Sequence, residues 1–161
     1  AKFFSCDVSK SEECDQTIGK VVQEFGRIDI LFNNAGSGDG GNFPDETNEG
    51  WERVLSVNLS SVFYMSKAVW PHLIAAGGGK IVNNSSLAAQ RGFSKNMYDI
   101  SGRAPSASYY ASKAGVDAIL IHSKSKTPDE IFDFAKKYLV LIHFLKKYDK
   151  YSFNNNINIQ Y

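Results

Sequence analysis

The amino-acid sequence is expected to fold as an α/β protein, a doubly wound parallel sheet with helices on both faces. Three observations predict it. Strand-like and helix-like stretches alternate from the first residue to residue 121, the order from which βαβ units are built. The strand candidate over 28–32 is short and apolar enough to be buried on both faces, as parallel strands are. Asp7-Val8, Asn33 to Gly36 and Ser85-Ser86 each fall where a strand candidate ends. Open parallel sheets bind ligands beyond that carboxyl edge.

Taken in order, Lys2 to Val8 reads as the first strand. A helix follows over residues 11–25, with Ser9 or Ser11 as its cap and Ile18, Val21, Val22 and Phe25 on one face. Gly26 ends it. Residues 28–32, Ile-Asp-Ile-Leu-Phe, form a second strand, and a glycine-rich loop spans 36–43. That loop contains a formal G-x-G-x-x-G. It does not open directly into a helix, as a dinucleotide fingerprint requires, so it reads as a flexible loop. A long helical region over 47–76 carries Trp51, Val54, Leu55, Val57, Leu59, Val62, Phe63 and Met65. A break is expected near Asn58, a poor helix former. Gly77-Gly78-Gly79 stops the helix, residues 80–84 form the third strand, and a long polar loop leads to a helix from Pro105 or Ser106 to Ile121.

Composition narrows the function. The chain has 161 residues, 43% hydrophobic and 22% charged, with a formal net charge of +1. It offers no electrostatic argument for nucleic acid or an acidic membrane surface. Cys6 and Cys14 have neither metal-ligand spacing nor a disulfide framework around them, and His72, His122 and His143 are scattered. No metal site is expected. With no signal peptide and no long apolar run the chain reads as soluble, with the cytoplasm as the default compartment.

The chemistry centres on Tyr109-Tyr110-Ala111-Ser112-Lys113. A tyrosine and a lysine four residues apart in a helix share a face, one turn from each other. An ammonium near a phenol favours the ionised phenol, whose unperturbed pKa is ~10, and suits it to exchange a proton with an alcohol or carbonyl near neutral pH. At the strand ends, the small residues of Asn33-Asn34-Ala35-Gly36 let backbone approach a flat ligand, and asparagine side chains can tie neighbouring strands. Asn58 can bend its helix and hold a water. A hydroxyl from Ser85-Ser86 can hydrogen-bond a substrate oxygen.

Five ordered motifs carry a resemblance: Cys-Asp-Val at 6–8, Asn-Asn-Ala-Gly at 33–36, Val-Asn-Leu at 57–59, Ile-Val-Asn-x-Ser-Ser at 81–86 and Tyr-Tyr-Ala-Ser-Lys-Ala-Gly at 109–115. Together they resemble the short-chain dehydrogenase/reductase family over roughly three quarters of the chain. The resemblance implies a Rossmann-like domain and an NAD(P)-dependent oxidoreductase interconverting a secondary alcohol and a carbonyl, with either NAD or NADP as cofactor. Carried over, Tyr109 is the acid/base, Lys113 binds the nicotinamide ribose and lowers the pKa of Tyr109, and Ser86 rather than Ser85 holds the substrate oxygen. Asn58 positions a water in the proton relay. Asp7 and Val8 receive the adenine, and Asn33, Asn34, Ala35 and Gly36 line the cofactor. The helices over 47–76 are a candidate homo-oligomer interface.

Measured against that family the sheet is expected to be incomplete, lacking the first strand, glycine-rich turn and helix, and the later strand and lid. The segment between Ser86 and Tyr109 is about ten residues longer than the family pattern, an enlarged loop beside the substrate that costs little thermodynamically. The partial domain is expected to run over 1–121. All 13 glycines lie at or before Gly115, and residues 122–161 form a divergent tail rich in Lys, Asn, Tyr, Phe and Ile. That bias resembles translated A/T-rich non-coding sequence more than family sequence. The tail is expected to hold a capped amphipathic helix over about 128–148, then a polar disordered end. The rival reading is a catalytically silent remnant acting through binding or oligomerisation.

Overall fold

A computed structural model describes residues 1–38, 41, 44–92, 94–102 and 104–122. The expected tail helix and its polar end lie outside the described residues. The chain divides into two units, Ala1–Leu120 and Ile121–Tyr161, and the sheet and its helices belong to the first.

Helix α1 runs over Ser11–Phe25. Neither serine caps it through a side chain: the N-cap is Lys10. Asp7 organises the turn instead, accepting hydrogen bonds from the Ser9 amide (3.1 Å) and hydroxyl (2.7 Å), while the Asp7 amide donates to Glu13 at 2.8 Å. Ser9 is thus committed to Asp7. The helix start is secured from the preceding residues and by the acidic pair Glu12 and Glu13 near the positive end of the helix dipole. The other end behaves as expected. Gly26 adopts a left-handed φ of 80° and donates its amide to the Val22 carbonyl at 2.8 Å.

Strands β1 (Ile30–Asn33) and β2 (Lys80–Asn83) pair in parallel, Leu31 opposite Ile81 and Asn33 opposite Asn83. Between them lie α2 (Asn48–Leu55), a π-helical turn (Ser56–Ser60) and α3 (Ser61–Ala75). Thr47 caps α2 by accepting from the Gly50 amide at 3.0 Å. The core joins Ile18 of α1, Ile28 and Leu31 around β1, and Val69 and Leu73 of α3, with Ile81 packed against them. Gly79 lies at the tightest point of the α3–β2 junction. A Cβ there would fall 2.8 Å from the Asp29 carbonyl oxygen and 2.5 Å from a Leu73 methyl, so only glycine lets the chain enter β2 in register.

Two expectations about the strands need correction. Residues 2–8 form no strand. A strand needs a hydrogen-bonded partner, and among the described residues β1 and β2 pair only with each other. Nor are the strands covered on both faces. Leu31 and Ile81 point into the α1–α3 core, whereas Ile30 is 63% and Phe32 60% exposed on the opposite face. Apolar composition marks a strand that can be buried on both sides; what covers it is settled elsewhere in the chain.

The long 87–108 segment is also not a plain loop. It contains a 3-10 turn at Leu87–Ala89 and α4 at Lys95–Ser101, with a Lys95–Asp99 ion pair of 3.0 Å one turn apart. Helix α5 then spans Ala107–His122.

Cys14 is fully buried on α1 and donates to the Val8 carbonyl at 3.5 Å. Burial, with Cys6 alongside and the Asp15 and Asp7 carboxylates nearby, pushes its thiol up to about 12. An unfolded thiol ionises near ~8.5, so the unfolded chain loses this proton first and folding stability falls as pH rises from there towards 12. Denaturant midpoints at pH of about 7.5 and 10 should therefore drop further for wild type than for Cys14→Ala; equal drops would contradict this assignment.

Candidate active site

The carboxyl ends of β1 and β2 are laced by amides. Asn33 Nδ2 donates to Asn83 Oδ1 at 2.8 Å, Asn84 Nδ2 donates to Asn34 Oδ1 at 2.9 Å, and the Asn84 amide donates to the Asn33 carbonyl at 2.9 Å. The parallel register creates these pairs, because it sets like residues side by side where the ladder ends. Asparagine thus ties the strands as expected, and Asn33 also reaches Ser66 on α3 at 3.4 Å.

Asn58 is 1% exposed at the centre of the π-helical turn. The expected break is an insertion that widens one turn without ending the helix, a device that re-aims a side chain. Its amide pairs in both directions with Ser37 just beyond β1: the Ser37 amide donates to Oδ1 at 2.6 Å and Nδ2 donates to the Ser37 carbonyl at 2.8 Å. Nδ2 also donates to Ser112 Oγ at 3.1 Å, and Ser112 Oγ donates to the Tyr109 carbonyl at 2.8 Å. One side chain therefore joins the loop after β1 to α5.

Helix α5 brings Tyr109 and Lys113 together as their spacing requires. The Lys113 ammonium lies 5.7 Å from the centre of the Tyr109 ring. Lys113 is only 5% exposed, and its Nζ donates to the Asn84 carbonyl at 2.9 Å, at the end of β2. A buried ammonium needs such partners, and it has three protons to give. Ser85 Oγ donates to the Lys113 carbonyl at 3.2 Å. Ser86 caps the 3-10 turn, accepting from the Ala88 amide at 3.2 Å, which leaves its hydroxyl proton available. The two serines thus divide their tasks. Ser85 fastens α5 to β2, and Ser86 stands at the start of the segment after it.

Gly36 marks where a ligand could approach. A Cβ on it would stand 3.5 Å from Asn58 Oδ1 and 3.8 Å from Lys113 Nζ. The chain leaving β1 thus passes within van der Waals reach of both groups at a residue with no side chain. Near the start of α1, the Ser9 hydroxyl and amide hold the Asp7 carboxyl below its ordinary range, and the Val8 carbonyl accepts from Cys14. Among the described residues no group of three His, Cys, Asp or Glu could hold a metal ion, and no helix is long and apolar enough to cross a membrane.

The sequence did not single out Glu46, Ser106, Ser108 or Ser112. Ser106, Ser108 and Ser112 are buried, and the first two stand at the start of α5. Two serines at the helix start, Ser106 and Ser108, carried a readable signal of capping.

Comparison with known proteins gives the family. The family model described as short chain dehydrogenase matches residues 1–124. The chain belongs to the short-chain dehydrogenase family. Its fold is accordingly of the Rossmann-like, doubly wound α/β class. It is 36% identical over 113 residues to a 3-oxoacyl-[acyl-carrier-protein] reductase of Thermotoga maritima, covering 70% of this chain and 42% of that protein. It is also 36% identical over 113 residues to a D-threitol dehydrogenase of Mycolicibacterium smegmatis, covering 70% of this chain and 40% of the relative. Among solved structures, an NAD+-bound xylitol dehydrogenase superimposes with a TM-score of 0.62 at 32% identity, covering 75% of this chain and 43% of the other. A metagenomic short-chain oxidoreductase in complex with NADP gives 0.67 at 30% identity, covering 81% and 55%. This short-chain dehydrogenase chain therefore spans about two fifths of the length of the two curated relatives.

Proposed function

We propose that the chain carries the proton-transfer machinery of an NAD(P)-dependent oxidoreductase that interconverts a small-molecule secondary alcohol and its carbonyl. The observation that carries this reading is the pairing of Tyr109 with a buried Lys113 anchored at the end of β2, close to Gly36. A bound dinucleotide, NAD or NADP, would supply or accept the hydride. In reduction the Tyr109 hydroxyl gives its proton to the oxygen that gains charge, and in oxidation it takes that proton back. Ser86 Oγ–H donates to the same oxygen and steadies the developing anion. Lys113 would hold the nicotinamide ribose. The π-helical turn at Asn58 places a water that resupplies the proton. Asn33, Asn34, Ala35 and Gly36 line the cofactor, and Asp7 and Val8 receive its adenine. The relatives reduce or oxidise quite different compounds by name, from an acetoacetyl-CoA reductase to a D-threitol dehydrogenase. The proposal therefore stops at the carbonyl/alcohol class.

A second reading has an observation behind it. Phe63, Trp70 and Ile74 on α3 are spaced i, i+7 and i+11, and all three are exposed. They support self-association through the helices over 47–76, which would persist without catalysis.

Titrating residues 1–161 with NADH and NADPH, read by nicotinamide fluorescence, separates the two. Saturable binding that weakens about 10-fold or more in Lys113→Ala supports the oxidoreductase, the loss expected when a charged hydrogen-bond donor is removed. No binding by folded chain favours the non-catalytic module.

A further inference from the structure

Helix α5 is held at two places one turn apart, and the first of these lies outside the proton-transfer machinery. Ser108 and Ser112 are i and i+4, on one face of the helix; Tyr109 and Lys113 are i and i+4 on the adjacent face. Asn58 holds Ser112. The residue that holds Ser108 is Glu46, 62 positions away in sequence. The Ser108 amide donates to both carboxylate oxygens, at 3.3 and 3.4 Å, and the Ser108 hydroxyl donates to Oε1.

The hydroxyl protons give this cluster a direction. Ser108 gives its single proton to Glu46, so the 2.9 Å contact between Ser106 Oγ and Ser108 Oγ must be donated by Ser106. Ser106 Oγ in turn accepts the Tyr109 amide at 3.1 Å, as an N-cap does. A one-way chain thus runs from the Tyr109 backbone through two buried hydroxyls to the Glu46 carboxylate, each bond polarising the next. Its acceptor end stands at the helix start, where a negative charge is favoured.

We propose that Glu46 is a positioning residue for Tyr109, fixing through Ser108 and Ser106 the turn of α5 that carries the phenol. Glu46 reaches neither substrate nor cofactor in this role. It sits between the glycine-rich loop and α2, so the proposal ties the loop that leaves β1 to the placement of the proton donor. It rests on Tyr109 being the acid/base of the proposed reaction.

The test compares Glu46→Ala, Glu46→Gln, Ser108→Ala and Tyr109→Phe in the full 161-residue chain. Two readouts are used: amide exchange of Tyr109 and Tyr110 against Ile18 and Val22 of α1, and NADPH-dependent reduction of acetoacetyl-CoA and a panel of small ketones. Glu46→Ala should speed exchange in the first turn of α5 alone, by about 10-fold or more. It should also lower kcat by about 10- to 100-fold, with KM changed by less than about threefold, because a displaced donor costs rate more than binding. Glu46→Gln keeps one acceptor oxygen and should recover most of both effects, and Ser108→Ala should reproduce Glu46→Ala. Unchanged exchange at Tyr109, equal acceleration in α1, or a wild-type kcat in Glu46→Ala would overturn the proposal. If Tyr109→Phe retains full turnover, or no substrate is turned over at all, the reading of Tyr109 fails and takes the positioning role with it. If Tyr109→Phe is inactive while Glu46→Ala is not, only the role of Glu46 falls.

Discussion

Replacing Tyr109 by phenylalanine is expected to reduce carbonyl turnover by about 10²- to 10⁴-fold, the range that a positioned general acid supplies. The substitution is clean because it removes one oxygen. The ring stays, and with it the packing of α5 and the approach of the Lys113 ammonium, 5.7 Å from the ring centre. Neither the N-cap by Ser106 nor the bond from Ser112 involves the phenol, since both use the Tyr109 backbone. Dinucleotide affinity should therefore stay within about threefold of wild type, while kcat and kcat/KM fall together, the signature of an interaction made in the transition state. Steady-state kinetics of NADPH oxidation with a carbonyl substrate, alongside the fluorescence titration, make the check. Wild-type turnover in the phenylalanine variant would remove Tyr109 from the reaction.

The second large effect is on stability. Asn58→Ala should lower the unfolding free energy by about 3 kcal/mol, combining lost buried hydrogen bonds with a small cavity. The side chain is 1% exposed and makes three bonds, two to the Ser37 backbone and one to Ser112. Alanine replaces none of them and leaves polar groups of two other elements facing a gap. The expected result in urea is a lower midpoint with an unchanged slope, since the folded chain should remain as compact. Loss of the Ser37 tie should also free the loop after β1, seen as faster amide exchange there than in α1. A destabilisation below about 1 kcal/mol would show that water or neighbours replace those bonds, and that Asn58 does not bind α5 to the loop.

Much of the architecture was legible because it follows from local rules. The apolar face of α1, its stop at Gly26 and the glycines after α3 need only nearby residues to be read. Gly77 and Gly78 adopt φ of 85° and 123°, backbone that side chains disfavour, which explains why the long helix ends there. Tyr109 and Lys113 were legible for the same reason, since a four-residue spacing in a helix places them together whatever surrounds it. α4 was overlooked because its 95–101 stretch is only seven residues long, too short to display a helical period of apolar residues.

The amino-acid sequence by itself thus determined the element order, the α/β class and the Tyr-Lys face of α5. Tertiary structure alone decided whether residues 2–8 find a strand partner, and which face of β1 is covered. It also decided how Ser85 and Ser86 divide their tasks, and that Glu46 and Asn58 grip successive turns of the same helix. The physical reason is range. Helical periodicity and turn chemistry act over a few residues, whereas a ladder, a buried face or a carboxylate meeting a serine 62 residues away depends on where separate segments pack.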